Sequence, residues 1–182
     1  IFHDSSFDAD PVFFLHLSIC HSAVPLMRDN FQGYVSNFVE EEPMLLLAAS
    51  HGFVLKARQG NNLIVEVGGM PRKIHIFHRF PPSPQHPRVS VIFTTDWGEA
   101  GIFIRGDIDS MHGFTNVPAD IELGFKKQGL RSLCLSARFF QQDELKIILA
   151  ALERARTQRA ESIFALLNEI EANGALIGMV AF

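Results

Sequence analysis

Apolar and polar positions along the chain sort into helix-like and strand-like stretches. Asp10-Pro11 is a helix start, an Asp cap followed by Pro in the first turn. The run VFFLHLSICHS after it is apolar almost all round, which predicts a buried helix ending before Pro25. A polar loop, RDNFQG, leads to YVSNF; Glu40 to Glu42 and Pro43 then open a second helix over MLLLAASH, closed by Gly52. Beyond Gly52 the pattern changes to strands. FVLKARQ, Asn61-Asn62 and LIVEVGG read as a hairpin, and Gly68-Gly69 turns into KIHIF. VSVIFTT turns at Asp96-Trp97-Gly98 into AGIFIRG. Strands in such succession, mostly joined by short turns, predict an antiparallel meander. A helical stretch from Asp120 to Gln128 precedes LRSLCLSARF, which alternates like a further strand. Leu145, Ile148, Leu149 and Leu152 then mark an amphipathic helix, and Ile163, Phe164, Leu167 and Ile170 another that stops at Asn173-Gly174. The expected class is α+β, one antiparallel sheet of about six strands with helices packed on it.

Composition narrows the class of function. The chain has 182 residues, one domain's worth, with 47% hydrophobic and 20% charged residues. Phe is abundant, 17 against one Tyr and one Trp, and without a polar tip most of these rings belong in a core. A net charge of −4 argues against a sequence-independent nucleic-acid binder. Cys20 and Cys134 stand far apart in apolar runs, which favours a reducing compartment over a disulfide scaffold. No apolar stretch reaches the roughly 18 residues needed to span a bilayer. The chain opens at Ile1 and ends in the apolar run ALIGMVAF, so both ends look cut from a longer protein.

Single motifs carry little chemistry. Eight histidines invite a metal site, but His75 and His78, three apart on a strand, should face opposite ways, and no other pair has ligand spacing. No G-x-S-x-G elbow, phosphate loop or G-x-G-x-x-G is present. Glu40-Glu41-Glu42 reads first as a helix N-terminus. The basic side chains Arg154, Arg156 and Arg159 are broken up by Glu153 and Glu161 into a solvated face. The segment FHRFPPSPQHPRVSVIF stands out, with four prolines between two strand-like ends and Phe80 and Arg88 at its mouth.

The order of segments supplies what single motifs do not. FFLHLSICHSAVP, YVSNFVEEEPMLLLAASHGF, RFPPSPQHPRVSV, IRGDID and KKQGLRSLCLSAR follow one another. Together they resemble the nucleotide-binding domain of P-type ATPases, most closely the phospholipid-flippase branch. KKQGLRSLCLSAR, similar to the family's Gly-Leu-Arg-Thr-Leu-Cys-Leu-Ala motif, is the most specific match. The resemblance implies a single cytoplasmic domain over residues 1–182 of a multi-pass membrane protein, with 141–182 a helical segment and the start of the return to the phosphorylation domain. It implies ATP or ADP as ligand, with Mg²⁺ needed only in the full-length protein. The phosphorylation and actuator domains of the same chain, and an accessory subunit, are the implied partners.

Residue by residue, Glu41 matches the family's acidic residue near the adenine, and Phe80 the ring that stacks on it. Arg105 stands where the family has Lys at the pocket floor, followed by Gly106, where backbone can approach a ligand closely. Arg131 matches an Arg that reaches phosphates, and Arg88 the Arg before Met-Ser-Val. A flat ring suits adenine and a guanidinium suits phosphate oxygens. The sequence departs from the family at Asn37 to Glu40, where only the following Glu41 is retained, at Arg105 and at Asp107, which replaces a small Ala. The loop after Phe80 is two residues longer and has lost a basic pair. No phosphoryl acceptor or Mg²⁺ ligand is identifiable, so the fragment alone is not catalytic. Two readings follow: an ATP-holding domain of a phospholipid-translocating ATPase, or a degenerate flippase-like domain kept for regulation or interaction, as in protist guanylate cyclase fusions.

Overall fold

The computed structural model describes residues 2–3, 10–28, 31–115, 119–157 and 160–182. Helix α1 (Pro11–Ile19) starts where Asp10 caps it, its side chain accepting from the Val12 N–H, and its residues 13–19 are all buried. Strands β2 (Val24–Arg28) and β3 (Phe31–Val35) form a separate two-stranded ribbon where a polar loop was expected. Helix α2 (Glu41–Ser50) carries Glu41 and Glu42 in its first turn. It gives way through Gly52, at φ +84°, to the strands.

The expected meander is present as β4 (Phe53–Gln59), β5 (Asn62–Val67), β6 (Met70–Phe80), β7 (Arg88–Thr95), β8 (Ala100–Asp107) and β9 (Ser132–Phe139). Each pairs antiparallel with the next. The α+β class holds, but the sheet is larger than expected. The C-terminal run forms β10 (Ala175–Ala181) beside β9, and the two-residue β1 (Phe2–His3) lies beyond it, giving the order β1-β10-β9-β8-β7-β6-β5-β4. Helices α3 (Ile108–Met111), α4 (Ala119–Lys127), α5 (Gln142–Arg156) and α6 (Ala160–Glu171) complete the chain; Arg159 lies outside the described residues.

The sheet separates two cores. On one face α1 and α2 pack through Phe13, Leu17, Met44 and Leu45 against Leu55, Val65, Val91, Phe93, Phe103 and Leu135. On the other, α3 to α6 pack through Met111, Phe125, Leu145, Leu152, Leu167 and Ile170 against Ile92, Ile102, Ile104 and Cys134. Strands β7 to β9 are covered on both sides, so they read as apolar runs rather than alternating ones. Cys20 and Cys134 are buried free thiols. Among the described residues no helix is long and apolar enough to cross a membrane.

One irregularity decides what faces where. β6 carries an extra residue between Ile76, opposite Phe93, and His78, opposite Ile92. Such a bulge reverses the facing of every residue after it. His75 and His78 therefore sit opposite Thr94 and Ile92, two apart on β7, and share a face. The expectation that they oppose each other is corrected by this bulge. They are still not part of any group of three metal-ligating side chains among the described residues.

Candidate functional site

The sequence-matched residues fall on both faces of the sheet. Arg105, opposite Val89 and Leu135, points to the α1/α2 side. It is 2% exposed and donates from Nη2 to Glu41 Oε1 at 2.9 Å and from Nη1 to Met44 Sδ at 3.4 Å. The other Glu41 oxygen accepts from the Ser22 N–H (2.9 Å) and Ser22 Oγ (2.7 Å), and from Ser36 Oγ. Burial pushes the Glu41 carboxyl up, but the Ser36 and Ser22 hydroxyls, Arg105 and the Ser22 N–H outweigh it and hold the pKa below the usual glutamate value. Glu41 and Arg105 thus already satisfy one another.

Above this pair lies a cavity of about 160 Å³ lined by Phe38, Glu40, Pro82, Pro87, Val89, Arg105, Gly106, Asp107, Arg131 and Leu133. Arg131 is exposed and gives Asp107 a two-pronged contact, Nε to Oδ1 at 3.0 Å and Nη2 to Oδ2 at 3.3 Å. That hydrogen bond raises the Arg131 pKa further. The structure thus gathers Arg105, Gly106 and Arg131 around one opening, with Glu41 directly beneath it. Gly106 contributes backbone; a Cβ there would lie 2.3 Å from Ser110 Oγ and 3.0 Å from Arg88 Cγ. Its bare side is therefore filled by protein on the opposite face.

Phe80 and Arg88 do not line this cavity. Phe80 lies opposite Ser90 and packs on the α5/α6 side, beside His78. The β6 bulge is the reason: in unbroken register Phe80 would lie opposite Val89 and share the Arg105 face. Arg88 is 4% exposed and held from all sides. It gives Nε to Glu171 at 2.9 Å, Nη1 to the Ser110 carbonyl at 2.8 Å and Nη2 to Asn168 at 2.7 Å. The Phe114 ring covers it at 3.8 Å. The proline loop before it closes on itself through paired Ser83 and His86 backbone groups, and His86 is buried against Glu171 at 2.8 Å.

The aromatic wall of the cavity is Phe38, a residue the sequence offered only as a departure from the family pattern. It lies in the turn before α2, where the Phe38 N–H is fixed by Ser36 Oγ at 3.1 Å. The Phe38 carbonyl accepts from the Glu41 N–H, which ties this turn to the start of α2.

No family model matches the chain. Its sequence is similar to phospholipid-transporting ATPase 1 of Arabidopsis thaliana, 24% identical over 186 aligned residues, 93% of this chain and 16% of that protein. Phospholipid-transporting ATPase IC of Mus musculus is 24% identical over 181 residues, covering 93% of this chain and 14% of its own. Phospholipid-transporting ATPase IK of Mus musculus is 22% identical over 175 residues, 91% of this chain and 13% of its own. The chain thus spans less than a fifth of these relatives. Over nearly its whole length the chain is similar to one segment of these phospholipid-transporting ATPases, in keeping with the order of its motifs.

Proposed function

We propose that this chain is the cytoplasmic nucleotide-holding domain of a larger phospholipid-translocating ATPase. It binds ATP or ADP weakly, for phosphoryl transfer to an aspartate of a neighbouring phosphorylation domain. The observation that carries the reading is the cavity where Arg105, Gly106 and Arg131 converge with Phe38 over the Glu41 carboxylate. Phe38 offers a flat apolar face to the adenine, and Arg131, on the rim, offers its guanidinium to the phosphates. A cavity of about 160 Å³ is below the roughly 300 Å³ at which ligand pockets usually begin, so it takes the ring and leaves the phosphate tail in solvent. ATP brings the transferable phosphoryl group. The side chains here bind and orient it, and no Mg²⁺ ligand set is present among the described residues.

The charges around the opening support weak binding. Glu41 neutralises Arg105, Asp107 neutralises Arg131, and Glu40 adds a further carboxylate. A polyphosphate must therefore displace Asp107 before Arg131 can grip it. The same observation favours the second reading, a degenerate domain kept for regulation or interaction, with little or no nucleotide binding. Calorimetric titration with ATP separates them. The nucleotide-holding reading expects millimolar to high-micromolar binding, weakened several-fold by Phe38→Ala and by Arg131→Ala and left intact by Phe80→Ala. Absence of heat at millimolar protein and ATP, or loss only with Phe80→Ala, would overturn it.

A further inference from the structure

On the same face of the sheet, beyond Pro81, lies a second and larger cavity of about 300 Å³ lined by Arg58, Gly60, Asn61, Ile76, Phe77, Arg79 and Pro81. The β6 bulge creates it. With the extra residue at Phe77, Arg79 rather than His78 lies opposite Val91 and turns to the α1/α2 side. Two guanidinium groups meet there. Arg58 Nη2 and Arg79 Nη1 both donate to the His21 carbonyl, each at 3.2 Å, and Arg58 Nε donates to the Ala23 carbonyl at 3.1 Å. His21 adds no charge. Its Nε2 donates to the Ser18 carbonyl at 2.8 Å, its Nδ1 faces Arg58 Nη2 at 3.4 Å, and burial then Arg58 lower its pKa to about 3.

Neither arginine has a carboxylate partner among the described residues, unlike Arg88, Arg105, Arg131 and Arg138. Neutral carbonyls hold them instead. Arg58 Nη1 and Arg79 Nε and Nη2 have no protein acceptor among the described residues, although Arg is a rigid fork with five donors. Burial and the neighbouring Arg79 lower the Arg58 pKa to about 10, so both groups remain charged at neutral pH. Glu41, whose charge acts on both, is already committed to Arg105. In a chain of net charge −4 this is a local excess of two positive charges facing a cavity.

We propose that Arg58 and Arg79 form an oxyanion site for a phosphate group, separate from the Arg105–Arg131 cavity. Converging guanidinium groups with spare N–H donors match a tetrahedral oxyanion with several acceptor oxygens. Asn61 on the turn lends a polar edge, and Ile76, Phe77 and Pro81 lend an apolar wall that suits the carbon part of a phosphate ester.

Titration of the chain with inorganic phosphate and with glycerol phosphate, at constant ionic strength set with NaCl and followed by amide NMR, tests the site. Both should shift the Gly60, Asn61 and Arg79 amides and leave Gly106 and Arg131 unmoved. Equal affinity assigns the site to the free ion, and several-fold tighter ester binding assigns it to a phosphorylated small molecule. Arg79→Gln should weaken binding at least tenfold. Asn61→Asp, on an exposed turn, should do the same without touching the core. No shift around Asn61, or equal shifts in Arg79→Gln and Asn61→Asp, would overturn the proposal. Because the probes lack adenine, failure of nucleotide binding leaves this result readable.

Discussion

The two faces of the sheet each bury one carboxylate against one arginine, yet the pairs differ in what surrounds them. Glu171, on the α5/α6 face, collects Arg88, His86 and the Ser90 hydroxyl, while Asn168, the Ser110 carbonyl and the Phe114 ring close over Arg88. Glu41, on the α1/α2 face, collects Arg105 and two serines, but Arg105 opens onto the cavity that Phe38 and Arg131 border. The chemistry is alike. One cluster is a sealed clasp between β7 and α6, and the other is the floor of an opening. A charge pair alone therefore does not mark a functional site; access to it does.

Breaking the sealed clasp should have the largest effect. Glu171→Ala leaves Arg88 buried without its counter-charge and strips acceptors from His86 and Ser90. It should cost about 3–5 kcal/mol in urea unfolding. Glu41→Gln should cost less, about 2–3 kcal/mol, because water in the cavity can reach the Arg105 left behind. Equal losses would mean that the two clusters are equally sealed.

Acid should act next, and mainly on the α1 side. His16 and His21 are fully buried there, and burial lowers both pKa values from 6.5 to about 3. The folded state keeps them neutral while the unfolded chain takes up protons below 6.5, so the stability they contribute is full above that value. It is lost as pH falls toward 3, by about 1.4 kcal/mol per pH unit for each histidine. Glu41, with its pKa lowered from 4.5, adds a further loss below that value. Urea midpoints measured from neutral pH downward should begin to fall near pH 6.5, and His16→Leu should make the fall shallower. A flat profile down to the carboxylate range would contradict neutral burial.

The smallest stability effect belongs to the rim. The Arg131–Asp107 pair is more than half exposed on both sides, so Asp107→Asn should change stability by less than about 1 kcal/mol. Its effect on ligand should be larger than its effect on fold. Freeing Arg131 and removing one negative charge should tighten ATP binding several-fold, read by calorimetry. Unchanged or weaker binding would place the phosphates elsewhere.

The meander from Phe53 to Thr95 was legible because Asn61-Asn62, Gly68-Gly69 and Asp96-Trp97-Gly98 punctuate runs rich in β-branched residues. β10 was not, because ALIGMVA is an apolar run without polar alternation, and its pairing with β9 and β1 is what makes it a strand. Arg105, Gly106 and Arg131 were placed near one another by motif order. Their partners were not, because Asp107 and Glu41 are chosen by side-chain geometry that no spacing reports. The bulge at Phe77 was invisible for the same reason: nothing in KIHIFHRF separates a regular strand from one with an extra residue. That single residue moves Phe80 away from Arg105 and brings Arg79 toward Arg58. Phe38 was overlooked because the turn before α2 departs from the family pattern.

The most direct measurement is an amide and side-chain NMR map of the chain with increasing ATP. The account expects saturable shifts clustered at Phe38, Gly106, Asp107 and Arg131, with the Arg88–Glu171 clasp unmoved. Shifts centred instead on Phe80 and His78, or none that saturate, would contradict a nucleotide seat on the α1/α2 face.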